Sequence, residues 1–248
     1  MSASHFRLLN YSLEELLHSE GPHYSEHEML AEQAYEWLMR DPTFDCLSRI
    51  YPPKWVEDCA KLLKGFSQEN KKLETLYVLD KLAASAPRGP AVECGVWKGL
   101  SAKILSRHFS NLTLVDSFEG LSAPDDFDAV AGDDSTYIVC GSDFGVDLEQ
   151  VRREFPSAKI VKGWIPEILG HLPEQKWAFV HLDLDLFKPT FECLSYFKER
   201  LMPGGLMVED QYVSIRFPGA GRAWRGLRMP ISLLATGQAI YVEPGRII

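Results

Sequence analysis

Basic side chains are in the minority: 26 Lys and Arg stand against 35 Asp and Glu, a formal net charge of -9 over 248 residues. With no excess of positive charge, a protein that grips nucleic-acid backbones is not expected. Long apolar runs are missing as well. No segment approaches the roughly 18 apolar residues of a membrane-spanning helix, and the start MSASHFRLLN has neither the charged nor the apolar block of a secretory signal. The expectation is a soluble, cytoplasmic protein with no nucleic-acid and no membrane partner. Cysteine is sparse: Cys46, Cys59, Cys94, Cys140 and Cys193 are scattered and odd in number, which excludes a disulfide framework or a C-x-x-C zinc knuckle and leaves reduced core thiols. G-x-S-x-G, the P-loop, G-x-G-x-x-G and internal repeats are all absent, so the commonest hydrolase, nucleotide-hydrolysing and dinucleotide signatures are missing.

What is present is apolar material for a core, 46% of residues, enough for one large domain or a core with an elaborated end. Residues 1–85 read as a helical N-terminal cap. Ser12 to Glu15 and Ser25 to Glu28 have the S-x-x-E spacing of capping boxes, and Leu76, Leu79, Leu82 and Ala83 repeat at helical period. From residue 86 to 248 short apolar runs alternate with amphipathic stretches. The expected strands are Ala91–Cys94, Leu112–Val115, Lys159–Val161, Trp177–Leu182 and Leu206–Val208; the helices between them are Leu100–Phe109, Leu148–Phe155 and Phe191–Leu201. That alternation predicts an α/β fold with a doubly wound, mostly parallel sheet. Ile231–Leu234 and Ala239–Val242 flank Thr236-Gly237 and read as a C-terminal antiparallel hairpin at the sheet's edge. The span Ser122–Asp143, rich in Asp, Gly and Ala, reads as a lid.

Three constellations carry chemistry. In VECGVWKGLS a strand runs into a turn with Gly95 and Gly99 and then a helix, which lets backbone amides approach a ligand. Asp116 ends the next strand 21 residues after Gly95, near the spacing at which an acid receives ribose hydroxyls. Asp183 and Asp185 in HLDLDLFKPT, with Glu209 and Asp210 in VEDQY, end two later strands, and parallel strands bring such ends to one edge. Converging carboxylates with an amide and water suit Mg²⁺ better than zinc. His23-Tyr-Ser-Glu-His27 fits the H-x-x-E-H spacing of some zinc peptidases, but Pro22 and Ser25 would start the helix inside the motif and separate the histidines.

Together VECGVWKG, LVDSFEGL, VKGW, HLDLDLFKPT, PGG and EDQY followed by PGAGRAW resemble the macrocin O-methyltransferase family, from about Asn70 to the C-terminus. The resemblance implies a Rossmann-like methyltransferase core, S-adenosyl-L-methionine as methyl donor, Mg²⁺, and a small-molecule natural product whose hydroxyl, on a sugar, accepts the methyl group. It implies that Glu93, Gly95, Gly99 and Ser101 line the methionine portion of the cofactor, Asp116 the ribose, and Ser117, Phe118 and Trp164 the adenine. Asp183, beside the cofactor, would hold Mg²⁺ with Asp210 and Gln211. Gln211 departs from the Asp or Asn usual in the family; it keeps an oxygen but removes a charge, so weaker metal affinity is expected. Asp185 matches the family's D-L-Y-x-x-T pattern with Phe187 in place of Tyr, a supporting role.

A sulfonium methyl is already activated, so catalysis needs an aligned oxygen nucleophile and a place for its proton. Asp183, His181 and Lys188 are the candidate catalytic residues: His181 shares a strand face with Asp183 by period two, and Lys188 follows the metal strand. A catechol-like aromatic acceptor is the nearest alternative. A nicotinamide-dependent oxidoreductase and a non-catalytic nucleoside-binding module are the competing classes, and self-association into a homo-oligomer stays open.

Overall fold

The computed structural model describes residues 73–129, 141–214, 217–234 and 236–245. The capping boxes at Ser12 and Ser25 and the His23 to His27 spacing lie outside the described residues. The end of the expected cap forms α1 (Leu73–Ser85), in which Leu76, Leu79 and Ala83 are buried as their period requires. α1 packs on α2 (Leu100–Leu105), the helix that follows β1 (Ala91–Cys94). Among the described residues no helix is long and apolar enough to cross a membrane.

The remaining elements follow in order: β2 (Leu112–Asp116), β3 (Glu119–Leu121), β4 (Gly141–Gly145), α3 (Leu148–Glu154), β5 (Lys159–Lys162), β6 (Trp177–Leu182), α4 (Phe187–Lys198), β7 (Leu201–Glu209), α5 (Pro218–Leu227), β8 (Ser232–Leu233) and β9 (Ala239–Val242). A single 3₁₀ turn, Glu167–His171, separates β5 from β6. The main sheet has the order β5-β2-β1-β6-β7-β9-β8. Pairings from β5 to β7 are all parallel, while β9 is antiparallel to both β7 and β8. The expected hairpin is present at the sheet's edge: β9 lies directly against β7, and the two-residue β8 takes the outside.

β1 and β6 are buried at every residue, as the central strands of a sheet covered on both faces should be, with Glu93 and His181 as their polar members. β7 begins at Leu201, earlier than expected, because Met202-Pro203-Gly204-Gly205 continues the strand through an irregular register opposite Trp177 and Phe179. α4 likewise begins early, at Phe187. Its Pro189 sits in the first turn, where a missing N–H is not needed by the helix. α5 had no counterpart in the sequence-based reading, since Gly219 and Gly221 look like loop residues. β3 and β4 form a small antiparallel sheet, so the expected lid starts and ends in strand pairing. Cys94 and Cys193 are buried free thiols.

Strand order reverses between β1 and β6: β2 and β5 follow β1 on one side, β7 follows β6 on the other. In an open parallel sheet the crevice beyond the carboxyl ends at that reversal is where ligands bind. The residues that end β1, β2, β6 and β7 are those from which the site is built.

Candidate functional site

The turn after β1 is shaped by two glycines in left-handed backbone. Gly95 (φ 87) donates its N–H to the Val115 carbonyl at 2.9 Å, and a Cβ there would overlap the Asp183 backbone carbonyl. Gly99 (φ 79) caps α2, and a Cβ there would come within 2.6 Å of the Phe155 ring. At both positions the absent side chain permits close packing of chain on chain, in a turn whose glycines also let backbone amides approach a ligand. Ser101, in the first turn of α2, is buried.

Asp116 braces this turn. Its Oδ2 accepts the Val96 and Trp97 amides at 2.7 and 3.0 Å, and its Oδ1 accepts the Phe118 amide at 2.7 Å. An ionised carboxylate offers about four lone-pair sites, so one remains for a ribose hydroxyl. Ser117 donates to the Gly120 carbonyl at 2.9 Å and accepts the Glu119 amide at 3.1 Å, which fixes the turn from β2 into β3. Phe118, at φ 57, is buried beside it. Trp97, which sequence reasoning passed over, stands in the turn with Lys98 Nζ 4.4 Å above its ring.

Glu93 and His181 are register partners on β1 and β6, and both are fully buried. His181 Nδ1 meets Glu93 Oε1 at 2.9 Å, while its Nε2 is 3.6 Å from Asp210 Oδ1. Enclosed between two carboxylates, His181 links β1 to the end of β7. Among the described residues Glu93 Oε2 and Trp97 Nε1 are buried polar atoms with no hydrogen-bond partner. An amino-acid end, with one cation and one anion, matches an orphaned acceptor and an orphaned donor at the border of this turn.

Asp183 and Asp210 directly follow the paired residues Leu182 and Glu209 of β6 and β7, so they sit side by side at the sheet edge. Asp210 Oδ1 accepts from Gln238 Nε2 at 3.1 Å. Glu209 belongs to the core instead: Oε2 accepts from Trp224 Nε1 at 2.9 Å and Oε1 from the Gln211 amide at 3.2 Å. Burial pushes its carboxyl up to about 8, the charges of Asp183 and Asp210 add to this, and its two hydrogen bonds oppose it. No three His, Cys, Asp or Glu side chains among the described residues group as a metal site. Asp183, Asp210 and the Gln211 amide nonetheless offer a hard, all-oxygen donor set from one edge, which fits Mg²⁺ in kind. Asp185, at φ 63 and buried, bends the chain between Asp183 and α4.

A cleft of about 470 Å³ lies between the segment after β3, the segment after β5 and the start of α4, lined by Leu121, Ser122, Ala123, Trp164, Lys188 and Pro189 among others and by none of Gly95, Asp116, Asp183 or Asp210. It brings together two of the sequence candidates: Trp164, 38% exposed after β5, and the exposed Lys188 on the first turn of α4.

Residues 58–233 match the family described as Macrocin-O-methyltransferase (TylF). A relative from Streptomyces olivaceus, 8-demethyl-8-(2,3-dimethoxy-alpha-L-rhamnosyl)-tetracenomycin-C 4'-O-methyltransferase, is 31% identical over 63% of this chain and 66% of its own length. The demethyldecarbamoylnovobiocin O-methyltransferase of Streptomyces niveus is 29% identical over 58% of this chain and 60% of its own. The matches thus span a little under two thirds of these curated relatives. The solved structure of the O-methyltransferase NovP superposes with TM-score 0.58 at 21% identity, covering 69% of this chain and 80% of that one. The calicheamicin methyltransferase CalS11 gives TM-score 0.58 at 17% identity over 90% and 94%. At those identities the likeness speaks for the fold.

Proposed function

The chain belongs to the macrocin O-methyltransferase family, and from that premise we propose that it moves the methyl group of S-adenosylmethionine to a hydroxyl of a small-molecule natural product, on a sugar. The observation that carries this reading is the braced glycine turn at the strand-order reversal, beside an edge with paired aspartates. The name of the Streptomyces olivaceus relative, which gives its substrate as a rhamnosyl-tetracenomycin, favours the sugar acceptor.

When bound, the cofactor supplies a sulfonium methyl already primed for transfer, so the protein's task is alignment. The turn from Gly95 to Gly99 borders the amino-acid end, with Glu93 Oε2 and Trp97 Nε1 as its orphaned partners. Asp116 holds the turn in shape and keeps one lone pair for ribose. Trp164 offers a flat face for adenine in the cleft, which Lys188 also lines. Asp183, half-buried next to Gly95, is the group placed to take the acceptor's proton. Mg²⁺, held by Asp183, Asp210 and Gln211, would lower the cost of that proton's loss.

S-adenosylhomocysteine should bind in the micromolar range by calorimetry, about −8 kcal/mol, and NADH should give no heat. No binding of S-adenosylhomocysteine would overturn the reading. For the metal, a calorimetric Mg²⁺ titration should show one site that weakens about 10-fold in Gln211→Leu, with S-adenosylhomocysteine affinity unchanged. A titration identical in the variant would take residue 211 out of the ligand set, and absence of Mg²⁺ uptake would take the metal out of the function.

A further inference from the structure

Asp128, in the segment after β3, is 2% exposed. Its Oδ1 accepts the Phe187 amide at 2.7 Å and its Oδ2 the Asp125 amide at 2.9 Å. Phe187 opens α4, whose own N-cap residue Leu186 provides no side-chain hydrogen bond. An aspartate 59 positions earlier in the chain thus satisfies an amide that helix starts leave open. From α5, Arg222 Nη1 donates to the Phe127 and Ala129 carbonyls at 2.6 and 2.7 Å, gripping the residues on either side of Asp128. Phe127, although 56% exposed, stacks on Phe187 with ring centroids 4.3 Å apart. Gly219 leaves the room required, since a Cβ there would overlap Asp128 Oδ1 and crowd the Phe187 nitrogen. Burial raises the Asp128 carboxyl above its ordinary value; the two amides and the Arg222 charge pull it back. Gly219 and Arg222 of PGAGRAW, which the methyl-transfer reading left without a task, both meet here.

The contact ties together two segments that line the cleft. Leu121, Ser122 and Ala123 line it, and the chain running on from them reaches Asp128; Lys188 and Pro189 line it too, directly after Phe187. We propose that Asp128 and Arg222 form a latch that sets the spacing of these two segments, and so act as positioning residues for the adenosine end of a ligand held against Trp164. The latch is a property of this chain; its service to S-adenosylmethionine rests on the function proposed above.

The test uses the full chain with three variants: Asp128→Ala, Asp128→Asn, which keeps an oxygen for the Phe187 amide, and Arg222→Met, which keeps length without donors. Hydrogen exchange across residues 121–129 should speed up about 10-fold in the Ala and Met variants, with β6 amides unchanged. In the same variants S-adenosylhomocysteine affinity should fall about 10-fold. The fluorine resonance of 5-fluorotryptophan at position 164, identified by its loss in Trp164→Phe, should move. Asp128→Asn should restore each readout towards wild type. Exchange unchanged at 121–129 overturns the latch. Faster exchange with affinity and the Trp164 resonance unmoved overturns the positioning role. If wild-type protein does not bind S-adenosylhomocysteine, the function proposed above fails, while the exchange result still decides the latch.

Discussion

Gly95→Ala should abolish measurable S-adenosylhomocysteine binding and weaken the fold by about 2–5 kcal/mol, the sum of a left-handed alanine and overpacking against backbone. The cause is local and double. Residue 95 has φ 87, and a Cβ there runs into the Asp183 carbonyl, which is backbone and has no side-chain rotamer to escape by. Relief requires the ends of β1 and β6 to separate, and those ends carry the turn proposed to border the cofactor and Asp183, the first of the proposed metal donors. Gly170→Ala is the matched control, with nothing within 4 Å of its Cβ position and no left-handed backbone; it should stay within about 0.5 kcal/mol of wild type. Urea unfolding and calorimetry on the pair check this, and a Gly95→Ala protein as stable and as tight as wild type would contradict the close approach of β1 and β6.

Asp116→Ala should cost about 100-fold in S-adenosylhomocysteine affinity, close to 2.8 kcal/mol. Three backbone amides, those of Val96, Trp97 and Phe118, lose their acceptor at once, and the turn is then free to leave its bound shape. Asp116→Asn should cost about 10-fold, because its one oxygen can serve Val96 and Trp97 while the amide group opposes Phe118. An S-adenosylhomocysteine analogue without ribose hydroxyls separates bracing from contact. If Asp116 touches the ribose, the analogue loses less on mutation than the parent does; equal losses mean the residue only braces. An Asp116→Ala variant with wild-type affinity would remove both roles.

The mostly parallel sheet was legible because β1 and β6 are short, largely apolar runs and because helical periods separate them from their neighbours. The turn after β1 was legible through Gly95 and Gly99, and the acids at the ends of β2, β6 and β7 through their place after apolar runs. What misled was local chemistry that the tertiary structure overrides. Met202-Pro203-Gly204-Gly205 looks like a turn and is strand, since a sheet partner satisfies the backbone regardless of propensity. Pro218-Gly-Ala-Gly221 looks like a loop and is helix, its glycines serving the approach of Tyr212 and Asp128.

By itself the sequence determined the strand order's raw material, the acidic edge and the family, because apolar period and short motifs are properties of neighbouring residues. Only the tertiary structure decided what holds each of those acids. Glu93 and His181 pair inside the sheet through parallel register, Glu209 turns to Trp224 in the core, and Asp128 reaches α4 from 59 positions away. In each case the partner comes from a different strand or helix. Period and spacing report on which face of its own element a side chain lies, but a hydrogen bond across elements depends on how the sheet and its covering helices pack.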